Sequence, residues 1–477
     1  MKRWISWAAF ALFFAAAPGF AATTALQSSR DCHLRGSEEA LRCHVIPVPL
    51  DPGRKDGEQL PLHVTVAPAY RQMASADPLF VLAGGPGQAG SDIVNALPVM
   101  FQRVRATRDI VFIDQRGTGL SGRMRCKGSD IDEAPSDAAM AAAFAQCVKS
   151  IRQPLAMYNT ANAAHDIERV RLALGYGPVN VFGGSYGTRL GQSYARLYPA
   201  SVRSLILDAV AAPDQVIPAG AHDAQLALDG VFQRCARDAA CNKAFPDLKA
   251  EFDAVLARVN SGAVTLDFPH PRTALPTRLP LTNLRFVTTI HGSLYSPLDS
   301  QRLPYLIHSA YQGNWGPFLT RGYAGSDVTP EGLMALPLYM AVVCAEDMPR
   351  LAPAMRDDDE RGSFMRGHAT RIASLCRMLD LPAIAPAAAT TIAVPALLLS
   401  GALDPITPPH RAASAAKTMP KAQLLTVAQA GHGVSGLGCT PRLLREFLDR
   451  PDQRLAADCL NEIAPVSFQL GHAGAQP

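Results

Sequence analysis

Ser185 lies in Gly183-Gly184-Ser185-Tyr186-Gly187, a Gly-x-Ser-x-Gly pattern. A serine hydroxyl is a weak nucleophile near neutral pH and needs an adjacent base, which a third group must orient. The chain offers both partners in the order Ser, Asp, His. Asp404 stands in Gly401-Ala-Leu-Asp404-Pro-Ile-Thr-Pro-Pro409, and His432 is flanked by Gly431 and Gly433. An aspartate in a turn is more often a cap or a solvated charge, and most of the twelve histidines are expected to be ordinary surface or core residues. The shared order and loop positions set Ser185, Asp404 and His432 apart as the expected triad. A tetrahedral oxyanion also needs N–H groups aimed in advance. Tyr186, the residue after the serine, is one expected donor. Gly85, in Gly84-Gly85-Pro86-Gly87-Gln88-Ala89-Gly90, is the other, with Gly87 second because Pro86 has no N–H. No Lys-Ser/Thr pair follows these glycines, which argues against a phosphate cradle.

These residues must be held by strands and helices. Val179–Phe182 is a short apolar run, and Thr188–Tyr198 has helical periodicity with Leu190, Tyr194 and Leu197 on one side. The pattern predicts a strand, a tight turn carrying Ser185, and a helix pointing its N-terminus at the serine. Pro78–Ala83, Asp109–Ile113, Ser204–Asp208, Val394–Ser400 and Ala422–Val427 also read as buried strands. Helices are expected around Ile93–Val104, over Asn162–Leu174 with Asn162 as cap, and over Pro441–Arg450. Leu41–Val48 and Leu60–Val66 flank a polar turn and predict an antiparallel hairpin at the sheet edge. The alternation implies an α/β fold with a mostly parallel sheet covered on both faces. It stops between residues 213 and 386, a mainly helical stretch expected to be a lid inserted between two core strands. Residues 22–212 and 387–477 are then the two parts of the core.

The 477 residues, 48% hydrophobic and 18% charged, have an ordinary globular composition. A net charge of +4 with the signs well mixed gives no nucleic-acid surface. Lys2 and Arg3 precede an apolar run to Ala17, and Gly19-Phe20-Ala21 offers small residues for cleavage. Residues 1–21 therefore read as a secretory leader, the run falling short of the roughly 20 apolar residues of a membrane span. The ten cysteines fall as sequence neighbours: Cys32 and Cys43, Cys126 and Cys147, Cys235 and Cys241, Cys344 and Cys376, Cys439 and Cys459. In an exported chain this suggests five local disulfides, although spacing alone leaves the connectivity open; no Cys-x-x-Cys supports a zinc site.

Taken together, Gly84–Gly90, Asp114-Gln-Arg-Gly-Thr-Gly119, Gly183–Thr188, Asp404 and Gly431–Gly433 resemble the α/β-hydrolase peptidases of the prolyl iminopeptidase and tripeptidyl aminopeptidase family. The leader and cysteine pattern look closer to its secreted tripeptidyl-aminopeptidase branch, which implies a branch-like C-terminal region within 387–477. The resemblance implies removal of residues from free peptide N-termini through an acyl-enzyme, without a metal or organic cofactor. It also implies a carboxylate for the substrate ammonium, and Val343-Cys344-Ala345-Glu346-Asp347 resembles the segment that supplies one, Glu346 ahead of Asp347. Arg116 is expected to be structural. The chain departs from the cytoplasmic prolyl iminopeptidases in lacking a histidine before Gly84 and in carrying Tyr186 where they have tryptophan. An esterase on the same fold is the alternative.

Overall fold

A computed structural model describes residues 29–474 except 55, 127–135, 270–273, 325–333 and 387; the expected leader lies outside the described residues. The strands are β1 (Arg30–Cys32), β2 (Leu41–Pro49), β3 (Gln59–Ala67), β4 (Leu79–Leu82), β5 (Ile110–Ile113), β6 (Val179–Gly184), β7 (Val202–Asp208), β8 (Thr265–Pro269), β9 (Pro276–Pro280), β10 (Ala396–Gly401) and β11 (Ala422–Val427). Among the described residues, one 9-stranded sheet runs β1-β2-β3-β5-β4-β6-β7-β10-β11. The hairpin side, β1 to β3, is antiparallel, and every pairing from β5 to β11 is parallel.

The apolar runs become strands because both faces of the sheet are covered. Successive side chains point to opposite faces, so one run feeds two cores. Phe80, Leu82, Val181, Leu205 and Leu207 join one cluster, whereas Leu79, Val81, Phe182 and Ile206 join the other. Six parallel strands thus end on one side, where loops emerge that need not be apolar.

Between β7 and β10 the chain leaves the sheet and builds a core of its own. Phe232, Phe252, Phe286 and Phe318 pack there among helices, with the small antiparallel pair β8–β9 beside them. The C-terminal tail crosses over to this unit: Phe468 is buried in its core, and Gln469 N–H donates to Gln301 O at 3.1 Å. Leu470 packs against the same core at its edge. The cysteines pair as sequence neighbours, 32–43, 126–147, 235–241, 344–376 and 439–459.

Three local expectations differ. The stretch from Ile93 to Val104 is not one α-helix; it runs as 3₁₀ turns over Gly90–Ala96, a π turn over Leu97–Phe101 and a single α turn over Gln102–Arg105. Pro98 cannot donate into a regular ladder. The helix before β6 spans Thr160–Ala173 and its cap is Asn159, whose side chain accepts from Asn162 N–H. Leu197 is exposed, while Leu190 and Tyr194 on the same helix are fully buried.

Candidate active site

Ser185 sits at the end of β6 with φ 55°, ψ −124°, a conformation rare for a residue with a side chain. The glycines explain how the turn closes. A Cβ on Gly183 would overlap the Gly187 carbonyl, and one on Gly187 would overlap Leu82 O. The helix Tyr186–Leu197 starts at the serine and points its N-terminus there. Gly84 approaches so closely that a Cβ there would stand 3.1 Å from Ser185 Cβ. Gly85, at φ 111°, lines the same cleft as Ser185 and Tyr186. Among the described residues no protein acceptor takes the N–H of Gly85 or Tyr186.

Asp404 follows β10 and is 3% exposed. Its carboxylate accepts from Ile406 N–H at 2.8 Å, Thr407 N–H at 2.9 Å and Thr407 Oγ1 at 2.8 Å, and meets His432 Nδ1 at 2.9 and 3.0 Å. Burial alone would raise its pKa, but His432 and these donors hold it below the usual carboxylate value. Burial likewise disfavours charge on His432, yet Asp404, and further off Asp208, leave its pKa raised. The base loop is also gripped from outside. His432 N–H donates to Tyr295 O at 2.7 Å, and the Tyr295 ring stands edge-on to the imidazole at 5.1 Å.

Asp208, the last residue of β7, joins the two loops. Its carbonyl accepts the Ser185 N–H at 2.9 Å, while its carboxylate accepts from Val434 N–H, Ser435 N–H and Ser435 Oγ. Thr407, Tyr295 and Asp208 were not singled out in the sequence. A polar end to the apolar run Ser204–Asp208 and the Asp-Pro-Ile-Thr spacing after Asp404 were the available signals.

The proposed amine carboxylates lie elsewhere. Asp347 is fully buried and is paired with Arg189 at 3.0 Å and Arg350 at 2.7 Å. Glu346 caps the helix starting at Thr160, accepting from Thr160 N–H and Oγ1 at 2.7 Å each. Thr160 Oγ1 also lies 2.8 Å from the Tyr186 hydroxyl, so Glu346 reaches the residue after the serine through one hydroxyl. Burial raises the Glu346 pKa against these donors. It lines a second cavity with Arg189, Arg196 and Arg350 rather than the cleft of Ser185.

Arg116 is 1% exposed; it pairs with both Asp166 oxygens and donates to the carbonyls of Pro49, Leu50 and Met157. Its neighbour Gln115 donates to Ala83 O, fixing this loop beside the end of β4.

The family described as "alpha/beta hydrolase fold" matches residues 77–437. "Serine protease Hip1" of Mycobacterium tuberculosis is 29% identical over 221 residues, which are 42% of this chain and 42% of that protein. "Tripeptidyl aminopeptidase" of Streptomyces lividans is 31% identical over 37% of this chain and 36% of its own length. "Proline iminopeptidase" of Neisseria gonorrhoeae is 31% identical over 27% and 31%, respectively. The alignments span less than half the length of these relatives.

Proposed function

The chain belongs to the α/β-hydrolase family, and on that premise we propose that it is a serine hydrolase removing residues or short peptides from free N-termini. The observation that supports the hydrolytic part is a strained serine and a buried Asp404–His432 couple on two loops that Asp208 ties together. In this reading His432 takes the proton from Ser185 as the hydroxyl attacks a carbonyl carbon. Asp404 holds the imidazole in place and stabilises its charged form, and the N–H groups of Gly85 and Tyr186 take the oxyanion. Collapse expels the amine, which takes the proton from His432; water then cleaves the acyl-enzyme by the same route. The names of the relatives support peptides as substrates, and Glu346 is the proposed contact to the ammonium. The five disulfides support export.

One observation favours an ester-cleaving second reading. Among the described residues the cleft at Ser185 is lined without any Asp, Glu, Lys or Arg. A panel separates the two: a tripeptidyl p-nitroanilide, its N-acetylated form and p-nitrophenyl acetate, each with wild type, Ser185→Ala and Glu346→Gln. Loss of all activity in Ser185→Ala, poor turnover of the acetylated peptide, and a Glu346→Gln defect confined to the free-amine peptide are the expected results. Equal turnover of both peptides would refute the N-terminal specificity.

A further inference from the structure

The wall of the cleft opposite Ser185 comes from the insertion, and it carries two imidazoles. His291 belongs to the helix Asn283–Leu294 and His368 opens the helix His368–Leu379; both line the cleft with Met365, Ile217 and Ile406. Burial pushes His291 down to about 3, helped by His368 and His432, and pushes His368 down to about 4, helped by Arg371 and opposed by Glu360. Near neutral pH both rings are uncharged, so each carries one N–H and one lone pair.

For His368 the two nitrogens are not equivalent. Nδ1 is shut away from solvent and has no hydrogen-bond partner among the described residues. It lies at the N-terminal end of a 12-residue helix, where the helix dipole favours a lone pair over a proton. The proton then sits on Nε2, the nitrogen left to face the cleft. A donor without a protein acceptor among the described residues, in a cleft that those residues line with no charged side chain, matches a neutral acceptor such as a peptide carbonyl.

We infer that His368 is a substrate-recognition residue whose Nε2–H donates to a backbone carbonyl in the acyl portion of a bound peptide. The inference deepens the peptidase reading and rests on it. Met365, Ile217 and Ile406 flank the ring and complete an uncharged seat for an extended, neutral acyl chain. An acetyl ester has no further carbonyl in its acyl portion for this N–H to bind.

Substitutions separate this from mere packing. His368→Gln can place an amide N–H near the position of Nε2, His368→Asn only near that of Nδ1, and His368→Phe removes both while filling the space. The measurement is kcat/KM for a tripeptidyl p-nitroanilide divided by that for p-nitrophenyl acetate, on protein shown to be folded by fluorophosphonate labelling of the serine. The ratio should fall about tenfold in His368→Phe and His368→Asn, the loss of one hydrogen bond, and recover to within about threefold of wild type in His368→Gln. An unchanged ratio in His368→Phe, or an equal fall in His368→Asn and His368→Gln, overturns the inference. If His368→Phe does not fold, the comparison of Asn with Gln decides alone. A wild type that cleaves the ester but no peptide overturns the peptidase reading, and this inference with it; an active wild type with unchanged ratios overturns only the inference.

Discussion

Replacing Arg116 by methionine tests whether this arginine is part of the scaffold or part of the substrate site. The side chain is 1% exposed and makes a two-pronged pair with Asp166 at 2.7 and 2.8 Å. It also satisfies carbonyls at Pro49, Leu50 and Met157, tying β2, the loop after β5 and the helix Thr160–Ala173 to one another. Methionine fills similar volume but leaves Asp166 buried without a counter-ion. Breaking a buried pair from one side costs about 3–5 kcal/mol, much of it the burial of the remaining charge. The denaturant midpoint of Arg116→Met should therefore fall at unchanged slope. Adding Asp166→Asn should restore about half of the loss. The pH dependence has a definite sign. Burial already raises the Asp166 pKa, and losing Arg116 raises it further, so the variant's deficit should grow as pH rises through that value and shrink in acid. Folded Arg116→Met should keep kcat/KM within about twofold on peptide and ester, because nothing in the cleft touches the residue. A loss of stability under about 1 kcal/mol, or a kinetic defect larger than about tenfold in folded protein, would refute the scaffold role.

In the proposed mechanism His432 must be neutral to take the serine proton, so its raised pKa places the low-pH limb of activity above 6.5, the ordinary histidine value. For stability the sign is opposite: charged His432 facing Asp404 contributes fully at low pH, and this is lost as pH rises through the folded value, so the stability gap to His432→Asn should narrow from pH 6 to pH 9. Calorimetry across that range checks it, and a widening gap would refute it. Among the disulfides, Cys344–Cys376 closes 32 residues and Cys235–Cys241 closes 6. Chain entropy assigns them about 3–4 and about 2 kcal/mol, so removing the first pair should lower unfolding free energy more than removing the second. The reverse order would count against that account.

What could be seen in the sequence was local. The glycines around Ser185 announce a turn because backbone crowding at Leu82 and Gly187 excludes side chains, and the parallel strands announce themselves as short apolar runs. Neighbouring cysteines needed only sequence proximity to suggest their partners. What escaped depends on residues far apart. His368 and His291 are ordinary histidines until the insertion folds over β6, and Tyr295 acts through its carbonyl, which no residue type encodes. Asn159 and Asn162 are both good caps, and the structure decides for Asn159, whose side chain accepts the Asn162 N–H while Glu346, far off in sequence, takes the Thr160 N–H. The engagement of both Glu346 oxygens by Thr160, at the start of a helix far off in sequence, had no signal in the residue types.

The insertion touches the catalytic loops through main-chain seams. Tyr295 O receives the His432 N–H, and Ala335 N–H donates to Gly87 O beside the expected oxyanion loop. Such contacts survive a change of residue, because every residue carries a carbonyl and all but proline carry an N–H. The walls of the cleft, by contrast, are side chains: Met365, His368 and Ile217. Over evolutionary time the insertion is thus free to drift in its side chains while its main-chain grip on the His432 and Gly87 loops stays constant. Swapping side chains in the wall of this insertion should retune substrate choice, whereas grafting a whole foreign insertion would break the seams that keep the two parts assembled.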